Sequence, residues 1–316
     1  MRIAFVGKGG SGKTTAAAVF SRYVAERGHR VVAIDADINQ HLAQALGHDG
    51  PPPRPLSADL GWLKDHLRGD NPRIATADAM IKTTPPGRGS RLLDLGADDS
   101  VLRRFATRIG GVQHLAAGEF DESDIGVSCF HAKTGAVELY LNHLVDGPGE
   151  YVVVDMTAGA DAFASGLFTR FDLTVLVCEP TRRGVGVYRQ YAELAAGHGV
   201  ALRVLGNKVA EPADVDYLRD RVGDGLLGWL VQSSWVRAAE RGALAPIGDL
   251  EPANRSVLET LLAELDSRSR DWVAHHRDTV QFHLRNAAAW ANRAVGADLG
   301  PQVDPNFVPG PVVHAS

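Results

Sequence analysis

The feature that most constrains this chain is a glycine-rich segment near its start, residues 7–14, with the sequence GKGGSGKT. An apolar run at residues 3–6 precedes it, and helix-forming residues at 14–25 follow it. The segment matches the pattern G-x-x-x-x-G-K-[ST] in the strand, loop and helix setting that this pattern requires. Glycines let successive backbone N–H groups turn toward phosphate oxygens, and the helix N-terminus adds its positive end. The segment therefore predicts a phosphate-binding loop.

Lysine usage supports this interpretation. Of 33 lysines and arginines only six are lysines, at positions 8, 13, 64, 82, 133 and 208. Lys8 and Lys13 both lie in this one loop, where a compact point charge suits a phosphate better than a planar guanidinium. We expect Lys13 to reach the β- and γ-phosphates and Thr14 to hold Mg²⁺.

Short β-rich runs alternate with helical stretches along most of the chain. After the first run they lie at residues 30–35, 112–116, 151–155, 173–178, 200–205 and 226–230. Helical stretches separate most of them, at 133–145, 186–196 and 214–222. This alternation predicts a doubly wound α/β fold, with a mostly parallel sheet of about seven strands and helices on both faces.

Two regions interrupt the alternation. Residues from about 48 to 111 are rich in Pro, Gly, Arg and Asp, which predicts an irregular insertion with short helices. Residues 252–294 look helical, and residues 300–316 contain four prolines, which predicts an extended or disordered tail. We therefore expect a P-loop domain over residues 1–265, followed by a helical C-terminal extension and proline-rich tail over 266–316.

Composition argues against several classes of protein. The chain is 45% hydrophobic, yet no apolar run comes near the ~18 residues that a membrane helix needs. Its net charge of -5 is unlike that of a protein held mainly by nucleic-acid phosphates. Two cysteines, Cys129 and Cys178, are too few for a disulfide framework, and no signal-peptide pattern follows Met1. We expect a cytoplasmic protein with no membrane partner, and DNA is disfavoured as a partner.

Residues 8–15, KGGSGKTT, match every position of the signature K-G-G-x-G-K-[ST]-T. By this segment the chain resembles the deviant Walker A ATPases, which include MinD and ParA, the nitrogenase iron protein and the CooC-type maturation ATPases of carbon monoxide dehydrogenase. The resemblance implies ATP as the ligand, held by Gly9, Gly10, Ser11, Gly12, Lys13, Thr14 and Thr15. It also implies that Lys8 reaches across a homodimer to the partner subunit's nucleotide.

Two aspartate segments resemble the switches of the same family. Residues 35–39, DADIN, resemble switch I, which gives Asp37 the role of orienting the attacking water. Residues 155–159, DMTAG, follow the apolar YVVV and resemble Walker B and switch II. This likeness implies that Asp155 binds Mg²⁺ through a water molecule and that the backbone N–H of Gly159 approaches the γ-phosphate. An alternative for Asp37 is a helix N-cap, and for the second segment an ordinary turn.

Asn207 and Lys208, at the end of the run VALRVLG, resemble the family's N-K pair. An asparagine amide offers one donor and one acceptor to the edge of adenine, so the resemblance implies that Asn207 selects adenine. A turn residue with no contact to the base is the alternative.

Cys129 and His131 lie where the CooC-type sequences have a C-x-C pair, within a segment that resembles the one before switch II. Cysteine and histidine both bind zinc or nickel, and two copies of the pair would supply four ligands across a dimer axis. The alternative is a packed cysteine with a histidine that caps a helix.

The sequence thus predicts a Mg²⁺-dependent ATPase, a homodimeric switch with a protein client that the sequence does not identify. A CooC-like role in the maturation of a metal centre is the leading interpretation. Two alternatives stay open: a partition or positioning ATPase of the ParA and MinD type, and a regulatory switch that acts on a protein client without a metal.

Overall fold

Eight strands form one sheet within residues 1–96, 99–118 and 131–311, which the computed structural model describes. In chain order they are β1 (Arg2–Gly7), β2 (Arg30–Ala36), β3 (Thr107–Ile109), β4 (Val112–Ala116), β5 (Glu150–Met156), β6 (Leu173–Cys178), β7 (Leu202–Val209) and β8 (Leu226–Val231). Their order across the sheet is β3-β4-β2-β5-β1-β6-β7-β8. Every neighbouring pair is parallel except β3 and β4.

The helices within the same residue ranges cover both faces of the sheet. They are α1 (Lys13–Ala25), α2 (Leu42–Ala45), α3 (Leu60–Arg68), α4 (Ser100–Phe105), α5 (His131–His143), α6 (Arg182–Ala195), α7 (Pro212–Val222), α8 (Ser234–Ala239), α9 (Pro252–Asp266), α10 (Trp272–Asn286) and α11 (Asn292–Val295). None of these helices combines the length and the apolarity that crossing a membrane requires.

The central strand β1 shows how the two layers are built. All six of its residues are buried, as in a parallel sheet covered on both sides. Ile3 and Phe5 pack with α1 and α9 on one face, whereas Ala4 and Val6 pack with α5 and α6 on the other. Successive side chains of a strand point to opposite faces, so one short apolar run supplies both cores. The predicted doubly wound, mostly parallel α/β fold is confirmed.

The insertion is more regular than the sequence predicts. Within residues 48–111 lie α3, α4 and the strand β3, which makes the sheet one strand larger than the predicted seven. β3 has only three residues and pairs antiparallel with β4 at the edge of the sheet. Such a short, polar strand carries no hydrophobic run that sequence reasoning could detect.

The C-terminal extension packs against this insertion. Ile81 of the insertion shares a small core with Ala287, Ala291 and Leu299. The side-chain amide of Gln302 donates a hydrogen bond to the carbonyl oxygen of Ala79, at 2.9 Å. In its described part the tail is thus held by a long-range contact at Gln302, which argues against disorder at that point.

Candidate nucleotide-binding site

A cleft of about 1390 Å³ lies where the strands meet the loops that carry the predicted site residues. Its lining comes from the ends of five strands and the segments after them, including residues 9, 10, 12–15, 37–39, 157–158, 207–208 and 231–233. The carboxyl ends of parallel strands meet at one edge of a sheet, where open α/β folds bind their ligands. The topology therefore brings motifs that are far apart in the sequence into one cleft.

The glycine-rich loop joins β1 to α1 in a conformation that depends on its glycines. Gly12 has a φ of +96°, and a Cβ atom there would collide with the side-chain amide nitrogen of Asn207. Gly7 has a φ of +150°, and a Cβ atom there would lie 2.6 Å from the carbonyl oxygen of Val177. The loop is thus packed against β6 and β7, with no room for larger side chains at these two positions.

Lys13 brings the two acidic segments together. Its Nζ donates a hydrogen bond to Asp37 Oδ2 and lies 3.9 Å from Asp155 Oδ1. The hydroxyl of Thr14 donates to Asp155 Oδ2 at 2.5 Å. Residues from the loop after β1 and from the ends of β2 and β5 therefore form one buried cluster, in which the lysine sits between two carboxylates.

The electrostatics of this cluster are dominated by burial. Burial raises the pKa of Asp155 to about 6, although Lys13 and the hydrogen bond from Thr14 pull it down. Asp155 Oδ1 is buried and accepts no hydrogen bond from the described residues. An orphaned carboxylate oxygen beside a threonine hydroxyl is the oxygen-rich environment that Mg²⁺ prefers. The residues present therefore fit a magnesium ion next to bound phosphates.

Asp35 has a structural role that the sequence analysis did not assign. Its Oδ2 accepts a hydrogen bond from the backbone N–H of Leu42 at 2.8 Å, and its Oδ1 accepts from that of Asp37 at 3.2 Å. Burial, followed by the nearby charge of Asp155, raises the pKa of Asp35 well above its usual range. Asp35 thus fixes the turn in which Asp37 lies. The sequence signal for this role is that Asp35 is the first acidic residue of the segment DADIN.

Lys8 belongs to a second cluster at the rim of the loop. Its Nζ lies 2.7 Å from Glu179 Oε2, while Lys208 Nζ lies 2.6 Å from Glu179 Oε1. The hydrogen bonds from Lys208 and Lys8 lower the pKa of Glu179. One carboxylate therefore holds both lysines, a pairing that the sequence analysis did not foresee because 171 residues separate Lys8 from Glu179.

Asn207 and Lys208 both bind the backbone of the glycine-rich loop. Asn207 Nδ2 donates to the carbonyl oxygen of Ser11 at 2.7 Å, and Lys208 Nζ donates to that of Gly10 at 2.7 Å. Lys208 adopts the left-handed region with a φ of +58°, the one non-glycine residue within the described ranges to do so. The pair holds the loop in shape, and it leaves Asn207 Oδ1 as an acceptor at the cleft.

These motifs coincide with a known family. Residues 3–243 match the family described as the CobQ/CobB/MinD/ParA nucleotide binding domain. The chain belongs to this family.

Two known proteins are similar to this chain over most of its length. The chain is 32% identical over 271 residues to the carbon monoxide dehydrogenase accessory protein CooC of Rhodospirillum rubrum, covering 85% of this chain and 97% of that protein. It is 29% identical over 244 residues to an uncharacterized ATP-binding protein of Methanocaldococcus jannaschii, covering 76% of this chain and 88% of that protein.

Solved structures show the same fold. A ParA family ATPase from Chlorobium tepidum superposes with a TM-score of 0.54 at 14% identity, covering 88% of this chain and 97% of that one. The cell division ATPase MinD of Pyrococcus furiosus has a TM-score of 0.54 at 17% identity, covering 83% and 98%.

Three further predicted site residues are Gly159, Cys129 and His131, and the structure describes the position of two of them. Gly159 has a φ of +63° and begins a 3₁₀ turn directly after the cleft residues Thr157 and Ala158. Cys129 lies outside the described residues, and His131 is the first residue of α5. Among the described residues no group of three or more His, Cys, Asp or Glu side chains could hold a metal ion.

The other cysteine, Cys178, is buried at the end of β6. Burial raises the pKa of its thiol to about 11, and its Sγ donates to the carbonyl oxygen of Glu179 at 3.3 Å. Because only the thiolate is a good nucleophile or metal ligand, Cys178 is a packing residue of this MinD/ParA-type domain.

Proposed function

We propose that this chain hydrolyses ATP with Mg²⁺ and works as a homodimeric switch on a protein client in the maturation of a metal centre. The observation that carries the ATPase part is the buried cluster of Lys13, Thr14, Asp37 and Asp155. It joins a phosphate-loop lysine, two oxygen donors suited to magnesium and a further carboxylate at one end of the cleft. Family membership supports the same reaction.

The reaction needs Lys13 to change partners. Lys13 Nζ donates a hydrogen bond to Asp37, and a bound triphosphate would offer the lysine denser negative charge. Lys13 would then contact the β- and γ-phosphates, and Asp37 would be released to orient the attacking water. The water oxygen bonds to the γ-phosphorus while the bond to the β–γ bridging oxygen breaks, which yields ADP and phosphate.

Thr14 and Asp155 would hold the magnesium ion, Asp155 through a water molecule. Mg²⁺, when bound, neutralises charge on the β- and γ-phosphate oxygens. This neutralisation matters here because Lys13 of the phosphate loop already lies between the carboxylates of Asp37 and Asp155. Without a cation, the carboxylates and the phosphates would repel each other.

The same geometry supports a switch. Asp37 follows β2 and Gly159 follows β5, and these two strands are neighbours in the sheet. Both segments would contact the γ-phosphate, so its loss would relax both together. A dimer whose surface includes these segments would then respond to the state of the nucleotide.

The role in maturation of a metal centre is supported by the similarity to the carbon monoxide dehydrogenase accessory protein CooC, which this chain matches over 97% of that protein's length. The fold alone does not favour this role over that of a partition or positioning ATPase, because MinD and ParA ATPases have the same fold. The long stretch of similarity to CooC makes the maturation role the better supported of the two.

A direct test measures phosphate release from ATP by the purified full chain with Mg²⁺ and with EDTA, together with its mass by static light scattering. We expect slow turnover that requires Mg²⁺, and dimers only with a nonhydrolysable ATP analogue. A chain that neither binds nor hydrolyses ATP contradicts the proposal.

A further inference from the structure

The last residue of the edge strand β8 is held by a side chain from α9. Asn254 Oδ1 accepts a hydrogen bond from the backbone N–H of Val231 at 2.9 Å, and Asn254 Nδ2 donates to the carbonyl oxygen of Val231 at 3.3 Å. The amide thus pairs with both backbone groups of one residue, as a further strand would. Asn254 is only 3% exposed, so this pairing is protected from water.

Glu251 holds the residues that follow β8. Its Oε2 accepts a hydrogen bond from Ser233 Oγ at 2.6 Å, and its Oε1 accepts from the backbone N–H groups of Ser234 at 2.8 Å and Trp235 at 3.3 Å. Burial raises the pKa of Glu251, but these hydrogen bonds lower it to about 2. The carboxylate is therefore ionised at neutral pH and satisfies N–H groups at the start of α8.

The two side chains act as one unit. Asn254 Nδ2 also donates to Glu251 Oε2 at 3.2 Å, so the amide and the carboxylate fix each other. Between them they contact four of the five positions from 231 to 235, namely residue 231 and residues 233–235. The turn between β8 and α8 is consequently held from the N-terminal end of α9, in addition to the N-cap in which Ser233 Oγ accepts a hydrogen bond from the backbone N–H of Val236 at 2.9 Å.

This turn forms one wall of the cleft. The wall consists of Leu230, Val231, Gln232, Ser233 and Val236, and Asn207 lines the same cleft from the neighbouring strand β7. Val231 pairs with Val209 of β7, only two residues beyond Asn207. A nucleotide with its phosphates in the glycine-rich loop would extend its base past Asn207 to this wall.

We propose that Glu251 and Asn254 are positioning residues that make this wall selective for an adenine base. The inference rests on the proposed function, because it requires ATP as the ligand. By fixing the backbone from Val231 to Trp235, the pair sets the width of the base subsite and the direction of its hydrogen-bonding groups. Neither residue belongs to the phosphate loop, so both act on the base and not on the phosphates.

The test compares dissociation constants for ATP, GTP and inorganic tripolyphosphate, each with Mg²⁺, in the wild type, Glu251→Gln and Asn254→Ala. We expect ATP binding to weaken roughly tenfold in each variant and the preference for ATP over GTP to fall toward one. Tripolyphosphate binding should stay within about twofold of the wild type, because the phosphate loop is untouched.

Asn71→Ala is the matched control. Asn71 is also a buried asparagine, whose side chain binds Ser90 Oγ and the backbone N–H of Arg73 at 2.9 Å each, in the insertion. This variant should lose thermal stability and keep the wild-type preference for ATP. Glu251→Gln keeps the size of the side chain, and its melting temperature is recorded beside the binding data.

The outcomes separate the two proposals. A wild type that prefers ATP, with variants that keep the same preference or lose affinity for all three ligands equally, overturns the positioning role alone. A wild type that binds neither ATP nor tripolyphosphate overturns the proposed function, and this inference with it.

Discussion

At the scale of the residue, Lys13 is the centre of the cleft, because its ammonium group meets carboxylates from the ends of two neighbouring strands. The motifs identify Lys13, Asp37 and Asp155, and the structure brings these three together. Their contacts with one another depend on the distances between strands in the sheet, and a local sequence motif does not specify those distances. Glu179 is the clearest example, because a carboxylate after β6 pairs with two lysines that come from two other loops.

Replacing Lys13 should mainly lower ATP affinity, whereas replacing Asp37 should mainly lower turnover. Lys13→Ala removes the charged donor to the phosphates, so ATP affinity should fall by about 100-fold. Asp37→Ala should bind ATP and lower turnover by at least about 100-fold, because the water loses its orienting carboxylate. Isothermal titration and phosphate release measure the two effects. Wild-type turnover in Asp37→Ala would contradict the role of Asp37.

Asp155 should make the ligand-free protein less stable as the pH rises. Its pKa is about 6 in the folded chain against 3.8 for the free side chain, so the folded state binds the proton more tightly. Between these two values the folded state therefore loses stability with rising pH, by roughly 3 kcal/mol at most.

Urea unfolding of the wild type and Asp155→Asn at pH 4.5 and pH 7.5 measures this effect. The difference in unfolding free energy between the two proteins at each pH removes the contribution of the other titrating groups. Relative to the wild type, the free energy of unfolding of the variant should be higher at pH 7.5 than at pH 4.5. The variant should also lose Mg²⁺-dependent ATP binding. A difference in stability that does not change with pH would rule out the buried charge as the cause.

At the scale of the element, hydrophobic periodicity predicts the central strands and the helices that cover them, because those segments bury whole runs of residues. The strand at Val112–Ala116 falls where the pattern puts it. The predicted helical stretch at 252–294 is instead interrupted between α9 and α10. In this connection Asp271 caps the start of α10 by accepting hydrogen bonds from the backbone N–H groups of Val273 and Ala274. Arg270 beside it makes long-range contacts, 2.6 Å from Asp146 and 2.5 Å from Asp172.

Arg270→Ala should strongly destabilise the chain. The arginine is buried between two buried carboxylates, and removing it takes away the guanidinium that pairs with Asp172, whereas Asp146 keeps Arg2 and the Met1 amino group. The loss of this buried ion pair should cost about 3–5 kcal/mol in the free energy of unfolding. Arg277→Ala on the exposed side of α10 is the control and should change that free energy by less than about 0.5 kcal/mol. Urea titration of both variants measures the contrast, and equal effects would argue against the network.

At the scale of the whole molecule, two predictions concern a second copy of the chain. Lys8 is 2.7 Å from Glu179 in the single chain, and its proposed target is the partner subunit's nucleotide. The lysine would have to leave Glu179 when two copies meet.

Lys8→Ala should keep ATP binding close to that of the wild type and lose dimerisation, because its target lies on the other subunit. Static light scattering with a nonhydrolysable ATP analogue measures the mass. Lys64→Ala, on α3, is the matched lysine control and should dimerise normally. A Lys8→Ala protein that also dimerises normally would contradict the role of Lys8 at the partner subunit's nucleotide.

The proposed metal site also requires two copies. Cys129 and His131 supply two ligands per chain, so we expect one zinc or nickel ion per dimer, with affinity that falls on acidification as both ligands take up protons. Equilibrium dialysis of the Asp37→Ala dimer, with and without Cys129→Ser, measures the stoichiometry. Equal, weak binding by both would favour a switch without a metal.

The hydrogen bond between Gln302 and Ala79 also bears on how the chain is made. The ribosome synthesises Ala79 early, and the amide that contacts it emerges 223 residues later. Contacts between residues so distant in sequence form late, because a long loop must close first. The nucleotide domain, with the insertion residues that pack into its main core, can therefore begin to fold during translation, whereas the small core around Ile81 waits for the C-terminal extension. A nascent chain stalled after α9 would expose this apolar surface, where a chaperone could bind it.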